Sequence, residues 1–481
     1  MLFSGITFLY YFLPCVLLLY FVVPKKAKNI VLLIASIIFY AWGECVFIWK
    51  LPVYTTLLIV SALMSYGFAL LIDRFRGKRL SRVFLILSVV ISIGILVFFK
   101  YTNFILLNVG TIIGKELPVL KLALPLGVSF YTFQILSYNI DVYMNRVKAN
   151  KNPVIVLTYV TLFPQLIAGP IVRYADIEKQ LSDRTHSFEG VSEGIRRFVC
   201  GLAKKVLIAN PLGELCEIAG TSEDMSVLFY WLYAISFTLQ IYYDFSGYSD
   251  MAIGLGRIFG FDFPENFQYP YISKSIREFW HRWHISLGSW FRDYVYIPLG
   301  GSRVTMGKWV RNILIVWILT GFWHGASWNY IVWGLFYAVL LLLEKLINEK
   351  ANTDKLKTGK AILSGLSHVY VMFFVILGFV IFNAANLNDA WSCISGMFGI
   401  GGIPLVSPEF VYYFGSYLGV LMIACIGMGP WVKQTVLRLK KNAVTERVVN
   451  ILEIILLPIL MLVITSYLVD GSFNPFLYFR F

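Results

Sequence analysis

Apolar residues run along this chain in long continuous stretches, without polar/apolar alternation. The first covers residues 5–23, and others lie at about 30–49, 52–72, 83–107, 122–140 and 153–168. Further runs fall near 226–246, 310–346 (long enough for a pair), 361–383, 409–430 and 448–469. Most are close to the about 20 apolar residues that carry a helix across a bilayer. A transmembrane β-barrel would show strict alternation instead. The pattern predicts an all-α polytopic membrane protein with roughly 10–12 transmembrane or re-entrant helices.

The charges between the runs give an orientation. No positive charge precedes the first run, while Lys25, Lys26 and Lys28 follow it. A cleavable signal peptide has the opposite polarity, so a retained helix with an external N-terminus is expected. Arg74, Arg76, Lys78, Arg79 and Arg82 cluster in one loop. Lys345, Lys350, Lys355, Lys357 and Lys360 cluster in a second, and Lys433, Arg438, Lys440, Lys441 and Arg447 in a third. Residues 384–408 hold no Lys or Arg. Basic loops stay on the cytoplasmic side, which leaves 384–408 and the C-terminus external.

Composition agrees with a membrane chain. Of 481 residues, 58% are hydrophobic, 17% aromatic and only 14% charged, against about 25% charged in soluble domains. Disordered, collagen-like and ordinary soluble classes are excluded. The net charge of +14 would suggest nucleic acid in a soluble protein, but here it belongs to the cytoplasmic loops. Cys15, Cys45, Cys200, Cys216, Cys393 and Cys425 are scattered without a CxxC pair, so no metal or redox motif is signalled. No repeat or separate soluble region stands out, and 1–481 reads as one membrane domain.

Residues 169–205 and 262–308 break the pattern by mixing charges, aromatics, Gly and Pro. Irregular backbone at membrane depth survives only inside protein or along a cavity, so a site is sought there. The best candidate for an active-site core is 262–328. His324 lies in Thr320-Gly321-Phe322-Trp323-His324-Gly325-Ala326-Ser327-Trp328, between two apolar runs. Ionisable groups within membranes are costly and functional, although an aromatic interfacial belt would also suit this setting. Trp323 and Trp328 are candidate pocket walls. His281 and His284 follow Glu278 at three-residue spacing, which on one helix would place all three roughly in line. Glu-x-x-His occurs in helical di-metal sites. A second copy and the His-Glu-x-x-His spacing are both missing, so no metal is expected. The adjoining Trp290-Phe291-Arg292-Asp293-Tyr294 suits an interfacial helix. Asp244 and Asp250 end another apolar run, either orienting a His or cation or capping helices. His186 reads as a solvated loop residue and His368 as a packed core residue.

Several chemistries are absent. There is no GxSxG nucleophile elbow. Gly254-x-Gly256 lacks the third glycine of the dinucleotide fingerprint, and Gly307-Lys308 is followed by Trp309, not Ser or Thr as a P-loop needs.

Segment 262–303 is diagnostic as a whole. Phe263-Pro264-Glu265-Asn266-Phe267 is followed by Glu278-Phe279-Trp280-His281-Arg282-Trp283-His284-Ile285-Ser286-Leu287. Then come Trp290-Phe291-Arg292-Asp293-Tyr294 and Tyr296-Ile297-Pro298-Leu299-Gly300-Gly301. Together with Gly321-Phe322-Trp323-His324-Gly325 this resembles the membrane-bound O-acyltransferase superfamily, in its bacterial alginate O-acetyltransferase branch. Leu124 to Gln134, Leu162 to Ile171 and Phe473-Asn474-Pro475-Phe476 are similar to the same branch, so the resemblance spans the chain.

The resemblance implies a helical fold around a tunnel joining the cytosolic and outer faces. It implies acyl transfer from a cytosolic thioester to an external hydroxyl, with acetyl-CoA or a carrier-protein phosphopantetheine thioester as donor. The near-invariant family histidine matches His324 and the second matches His284; no catalytic role carries over to His281. Neutral imidazole suits a general base at neutral pH. His324 is therefore expected to take the acceptor proton, and His284 to position the thioester or polarise its carbonyl. Trp323, Trp328, Asp244, Arg282 and Asp293 are expected along the substrate path. The expected partners are an exported polysaccharide, an extracytoplasmic SGNH-type protein and membrane lipid, with no nucleic acid. The expected location is the bacterial cytoplasmic membrane. The alternatives are a D-alanyl transferase of teichoic acids and a transporter or flippase without chemistry. A structural scaffold would leave the polar, His-bearing middle unexplained.

Overall fold

The computed structural model describes residues 1–44, 47–48, 51–120, 123–167, 169–350, 360–470 and 476–477. Cys45 and the Phe473-Asn474-Pro475 part of the terminal motif lie outside the described residues. Helices dominate the chain, and the only strands among the described residues are Phe47–Ile48 and Leu51–Pro52, paired antiparallel. Six described helices are long and apolar enough to cross a membrane: Val53–Arg74, Arg79–Ile113, Trp328–Ile347, Gly365–Asn383, Pro408–Gly427 and Ala443–Asp470. The protein is thus all-α and polytopic. The remaining apolar runs became shorter or more polar helices, such as Phe8–Val22. Arg79–Ile113 has 35 residues, or roughly 52 Å of helix. That exceeds the about 30 Å hydrocarbon layer, so this helix tilts or projects beyond it.

The chain divides into two compact units, Met1–Cys200 with Tyr248–Pro264, and Gly201–Gly247 with Glu265–Phe481. In the first, the helix Val128–Tyr143 is buried along nearly its whole length and packs on Val53–Arg74 and Arg79–Ile113. A helix covered on every side needs its polar groups satisfied internally. Asn139 Nδ2 donates to Ser88 Oγ at 2.5 Å, and Ser65 Oγ donates to Asn139 Oδ1 at 3.3 Å. This helix begins later than the apolar run from 122, because Gly127 turns the chain with φ +69°. A Cβ there would also meet the Leu166 carbonyl oxygen at 2.6 Å.

In the second unit, Met306–His324 and Trp328–Lys350 form an antiparallel pair across a three-residue turn. Their backbones meet through glycine. A methyl on Gly321 would strike the Tyr330 carbonyl, and one on Gly334 the Trp317 carbonyl. Small residues draw membrane helices together in this way. The close approach sets the end of the first helix, where His324 stands.

The run ending near 246 does not end there. The helix continues from Val227 to Ile258, through Asp244 and Asp250. Neither aspartate caps a helix. In the second unit Lys205 Nζ meets Asp244 Oδ1 at 2.5 Å, with both side chains almost fully buried. In the first unit Arg197 Nη2 meets Asp250 Oδ1 at 2.9 Å. Pairing with cations lets the helix carry carboxylates through its buried length.

Candidate active site

All residues of the candidate site belong to the second unit. His284 sits at a break between two short helices. Ile276–Arg282 is capped by Ser275, whose Oγ accepts the Glu278 N–H at 3.0 Å. Trp283 is extended, and His284 takes the left-handed conformation at φ 44°, ψ 54° before Ile285–Phe291 begins. A non-glycine residue there stores about 1–3 kcal/mol and persists only where its surroundings hold it. The break also means that Glu278, His281 and His284 do not share one helix face. Glu278 instead pairs with Arg282 at 2.9 Å. His281 is exposed, and its Nδ1 donates to the Arg277 carbonyl at 2.6 Å.

Asn266 holds the strained turn. Its backbone carbonyl accepts the Ile285 N–H at 3.0 Å. Its Oδ1 accepts the Ser286 N–H at 3.3 Å, Ser286 Oγ–H at 2.9 Å and His284 Nδ1–H at 3.1 Å. A backbone N–H can only donate, so the atom facing it is the amide oxygen, and His284 carries its proton on Nδ1. The Nε2 lone pair is thereby fixed. Burial pushes this imidazole down to about 3, so it is neutral at pH 7.

His324 is the last residue of Met306–His324 and is 4% exposed. Its ring lies 4.9 Å from Trp323, 5.0 Å from Trp333 and 5.1 Å from Phe382, centroid to centroid. The Trp323 indole also lies 5.8 Å from the His284 ring. One buried indole thus touches both imidazoles. Phe245 covers His284 edge-on at 4.7 Å. Trp280, Trp317, Trp333 and Tyr337 continue the aromatic wall, with Trp280–Tyr337 at 4.8 Å and Trp280–Trp333 at 5.5 Å. Within this wall the buried Trp280 Nε1, Trp333 Nε1, Tyr337 Oη and Asn266 Nδ2 have no hydrogen-bond partner among the described residues. A buried wall with unused donors suits a polar group or ordered water.

The structure therefore brings His284, Trp323 and His324 together. Trp328 is 53% exposed at the start of its helix. Arg282 is tied to Glu278 and to the Gln268 carbonyl at 3.0 Å. Asp293 pairs with Arg292 at 2.7 Å. Asp244 is held by Lys205, and its Oδ2 accepts the Leu477 N–H at 2.8 Å. Sequence reasoning assigned no role to Asn266, Ser286, Trp333, Tyr337 or Phe382. Asn266 stood within a quoted motif, but only the fold shows that it faces His284, 18 positions away. His368 is half-buried, with Nδ1 donating to the Ser273 carbonyl at 3.2 Å. In the first unit, His186 stands in the irregular segment 183–187, half-buried, with its Nε2 3.0 Å from Tyr20 Oη. Among the described residues no three His, Cys, Asp or Glu side chains group as a metal site requires.

Comparison with known proteins places this chain in a family. Residues 32–385 match the family described as "MBOAT, membrane-bound O-acyltransferase family". A protein of Pseudomonas aeruginosa named "Probable alginate O-acetylase AlgI" is 40% identical over 88% of this chain and 80% of its own length. A Helicobacter pylori "Peptidoglycan O-acetyltransferase" is 34% identical over 84% of this chain and 81% of its own. A Bacillus subtilis "Teichoic acid D-alanyltransferase" is 29% identical over 54% of this chain and 68% of its own. The chain belongs to the membrane-bound O-acyltransferase family and is a multi-pass membrane O-acyltransferase.

Proposed function

We propose that this enzyme moves an acetyl group from a cytosolic thioester to a hydroxyl of an exported polysaccharide, or to a partner protein that acetylates it. The observation that carries the reading is the pair of buried imidazoles on one indole, His284 and His324 against Trp323. The acetyl group and the polysaccharide rest on the relatives named for alginate and peptidoglycan O-acetylation. The D-alanyl transferase relatives cover little more than half of the chain, which favours acetyl over D-alanyl. Acetyl-CoA, or a carrier-protein thioester, is the donor in this reading. The bacterial cytoplasmic membrane is the location, and an SGNH-type extracytoplasmic protein is the partner.

His324 acts as general base. It takes the proton of the attacking hydroxyl as the oxygen bonds to the thioester carbonyl carbon. The C–S bond then breaks, and the His324 imidazolium returns the proton to the departing thiolate. His284 has a different role. Its Nδ1–H is committed to Asn266, so Nε2 presents a lone pair and cannot donate to a carbonyl. Of the two roles expected for it, orientation remains: Nε2 accepts a hydrogen bond from the acceptor hydroxyl or an ordered water. A donor to the developing oxyanion comes from the aromatic wall, with Trp333 Nε1 the best placed by burial.

The test is His324→Ala and His324→Gln in membranes with expression verified. Acetyl transfer is read by mass spectrometry of the surface glycans. Loss of the acetyl mass supports the reading, and wild-type transfer by either variant overturns it. A D-alanyl mass in place of acetyl would assign the runner-up donor.

A further inference from the structure

A buried cation without a counter-charge marks a second site, in the first unit. Arg184 follows the helix Tyr174–Ser182 and is 8% exposed. Its Nε donates to Tyr20 Oη at 3.1 Å, Nη1 to the Gln180 carbonyl at 3.2 Å and Nη2 to Asn29 Oδ1 at 2.7 Å. All three acceptors are neutral. Tyr20 Oη–H donates to the Phe259 carbonyl at 2.7 Å, so its lone pairs receive Arg184 and His186 Nε2–H. Lys28 Nζ stands 4.6 Å over the Tyr20 ring, and the Arg184 guanidinium 4.5 Å from the Phe261 ring.

Among the described residues no carboxylate forms an ion pair with Lys25, Lys28 or Arg184. The nearby Asp262 is taken by Arg257 and Gln180. Burial, then Arg184 and Lys25, hold the Lys28 ammonium below its usual range. Burial, then Lys28 and Arg184, do the same to His186. The charges that act on Lys28 and His186 are thus the cluster's own cations. The contrast with Lys205, the other buried cation among the described residues, is direct, since Lys205 has Asp244, and even the half-buried Arg197 has Asp250. A charge out of water persists when paired, and here the missing partner is an anion.

We propose that Lys25, Lys28, Arg184 and His186 form a binding site for a phosphate group. The Lys28 ammonium and the Arg184 guanidinium flank one ring, 4.6 and 5.9 Å from the Tyr20 centroid, and such donors suit tetrahedral phosphate oxygens, while the aromatic rings beside them lower the local dielectric. The cluster begins three residues after the apolar helix Leu13–Val22 ends, where the charge pattern expects the cytoplasmic face and so the reach of lipid headgroups and cytosolic anions. The phosphate is that of an anionic phospholipid or of a soluble phosphate-bearing thioester donor. The site stands independently of the roles given to His284 and His324.

The full-length chain in nanodiscs tests it by thermal unfolding. One arm compares phosphatidylcholine with phosphatidylcholine plus phosphatidylglycerol. The other titrates coenzyme A, and separately inorganic phosphate, in phosphatidylcholine alone. A higher midpoint in the first arm assigns a lipid phosphate, and in the second a soluble one. Lys28→Gln should weaken the response about tenfold, the scale of one charged hydrogen bond. Arg184→Gln should abolish it, and Arg184→Lys should retain part. Arg184 also ties Tyr20 to Asn29, so if Arg184→Gln fails to fold, Lys28→Gln decides. The proposal fails if no probe shifts the wild-type midpoint, or if Lys28→Gln responds as wild type does.

Discussion

Asn266→Ala is the most discriminating single change, because one side-chain oxygen fixes the strained turn and the tautomer of His284. The substitution removes the acceptor of three donors, Ser286 N–H, Ser286 Oγ–H and His284 Nδ1–H. Asn266 is fully buried and Ser286 and His284 nearly so, so water does not replace the lost oxygen. Each donor left unsatisfied costs about 1–3 kcal/mol. Ser286 Oγ–H can rotate to another acceptor, which leaves two and a total of about 2–6 kcal/mol. The left-handed His284, holding about 1–3 kcal/mol of strain, is then free to relax. Its proton is free to move to Nε2, the nitrogen that should accept.

The expected result is a fall in kcat of about 10²-fold, the scale of a misplaced catalytic group, with KM changed far less. Asn266→Asp keeps an acceptor facing Nδ1 and should retain activity within about tenfold of wild type. A carboxylate beside the imidazole also favours its charged form, so the acid limb of the pH–rate profile should move up. The assay is thioester consumption coupled to acetyl transfer in reconstituted membranes, with folded protein measured by size exclusion. Wild-type kcat in folded Asn266→Ala would refute the reasoning. Equal losses in Asn266→Ala and Asn266→Asp would refute the tautomer argument specifically.

Other perturbations test neighbouring parts. His324→Gln should lower kcat about 10²–10⁴-fold with stability near wild type, since the loss is that of a general base. His284, held neutral by burial, binds fewer protons folded than unfolded. Stability should therefore fall as pH drops from about 6.5 toward 3, by up to about 1.4 kcal/mol per pH unit, and His284→Gln should flatten that slope in thermal melts. Lys205→Met should destabilise by about 3–5 kcal/mol by stranding Asp244, while Lys205→Met with Asp244→Leu should recover much of it. Gly321→Ala should force the helix of His324 off the Tyr330 carbonyl, costing about 1–3 kcal/mol and lowering activity with it.

The helices were legible because bilayer spans are written as continuous apolar runs, and most runs returned as helices within a few residues. Their failures share one cause. The apolar run at 226–246 stops where Asp244 and Asp250 stand, but the helix goes on to Ile258, because Lys205 and Arg197 neutralise the carboxylates from elsewhere in the chain. Three-residue spacing suggested a helix face for Glu278, His281 and His284, but spacing carries no signal for a left-handed residue. That break depends on Asn266 accepting from both sides of the turn. His324 and His284 were readable as a motif pair. The aromatic wall was not, because Trp280, Trp333 and Phe382 converge only when three helices pack. Trp328, the wall expected from sequence, is largely exposed, and Trp333, five residues on, lies against His324 instead.

The way charge is handled separates structural polar groups from reactive ones. Lys205–Asp244 and Arg197–Asp250 cancel within the fold, which makes them tolerable and inert. The active-site imidazoles instead lie among aromatic rings, where an unpaired charge would carry a desolvation cost of several kcal/mol. A neutral imidazole avoids that cost at rest. In the proposed reaction, where His324 takes a proton during attack, the imidazolium and the tetrahedral oxyanion arise together, a few ångströms apart within the buried wall. Each is then the other's counter-charge, and low dielectric strengthens their attraction when it is needed. A permanent carboxylate beside His324 would keep it protonated and remove the base. By this reasoning, placing one there with Phe382→Asp, whose ring now lies 5.1 Å from the imidazole, should abolish transfer near pH 7. Transfer should return partly as pH rises above the new, elevated imidazole pKa. Activity that is lost equally at every pH would instead mean that His324 does not act by accepting a proton.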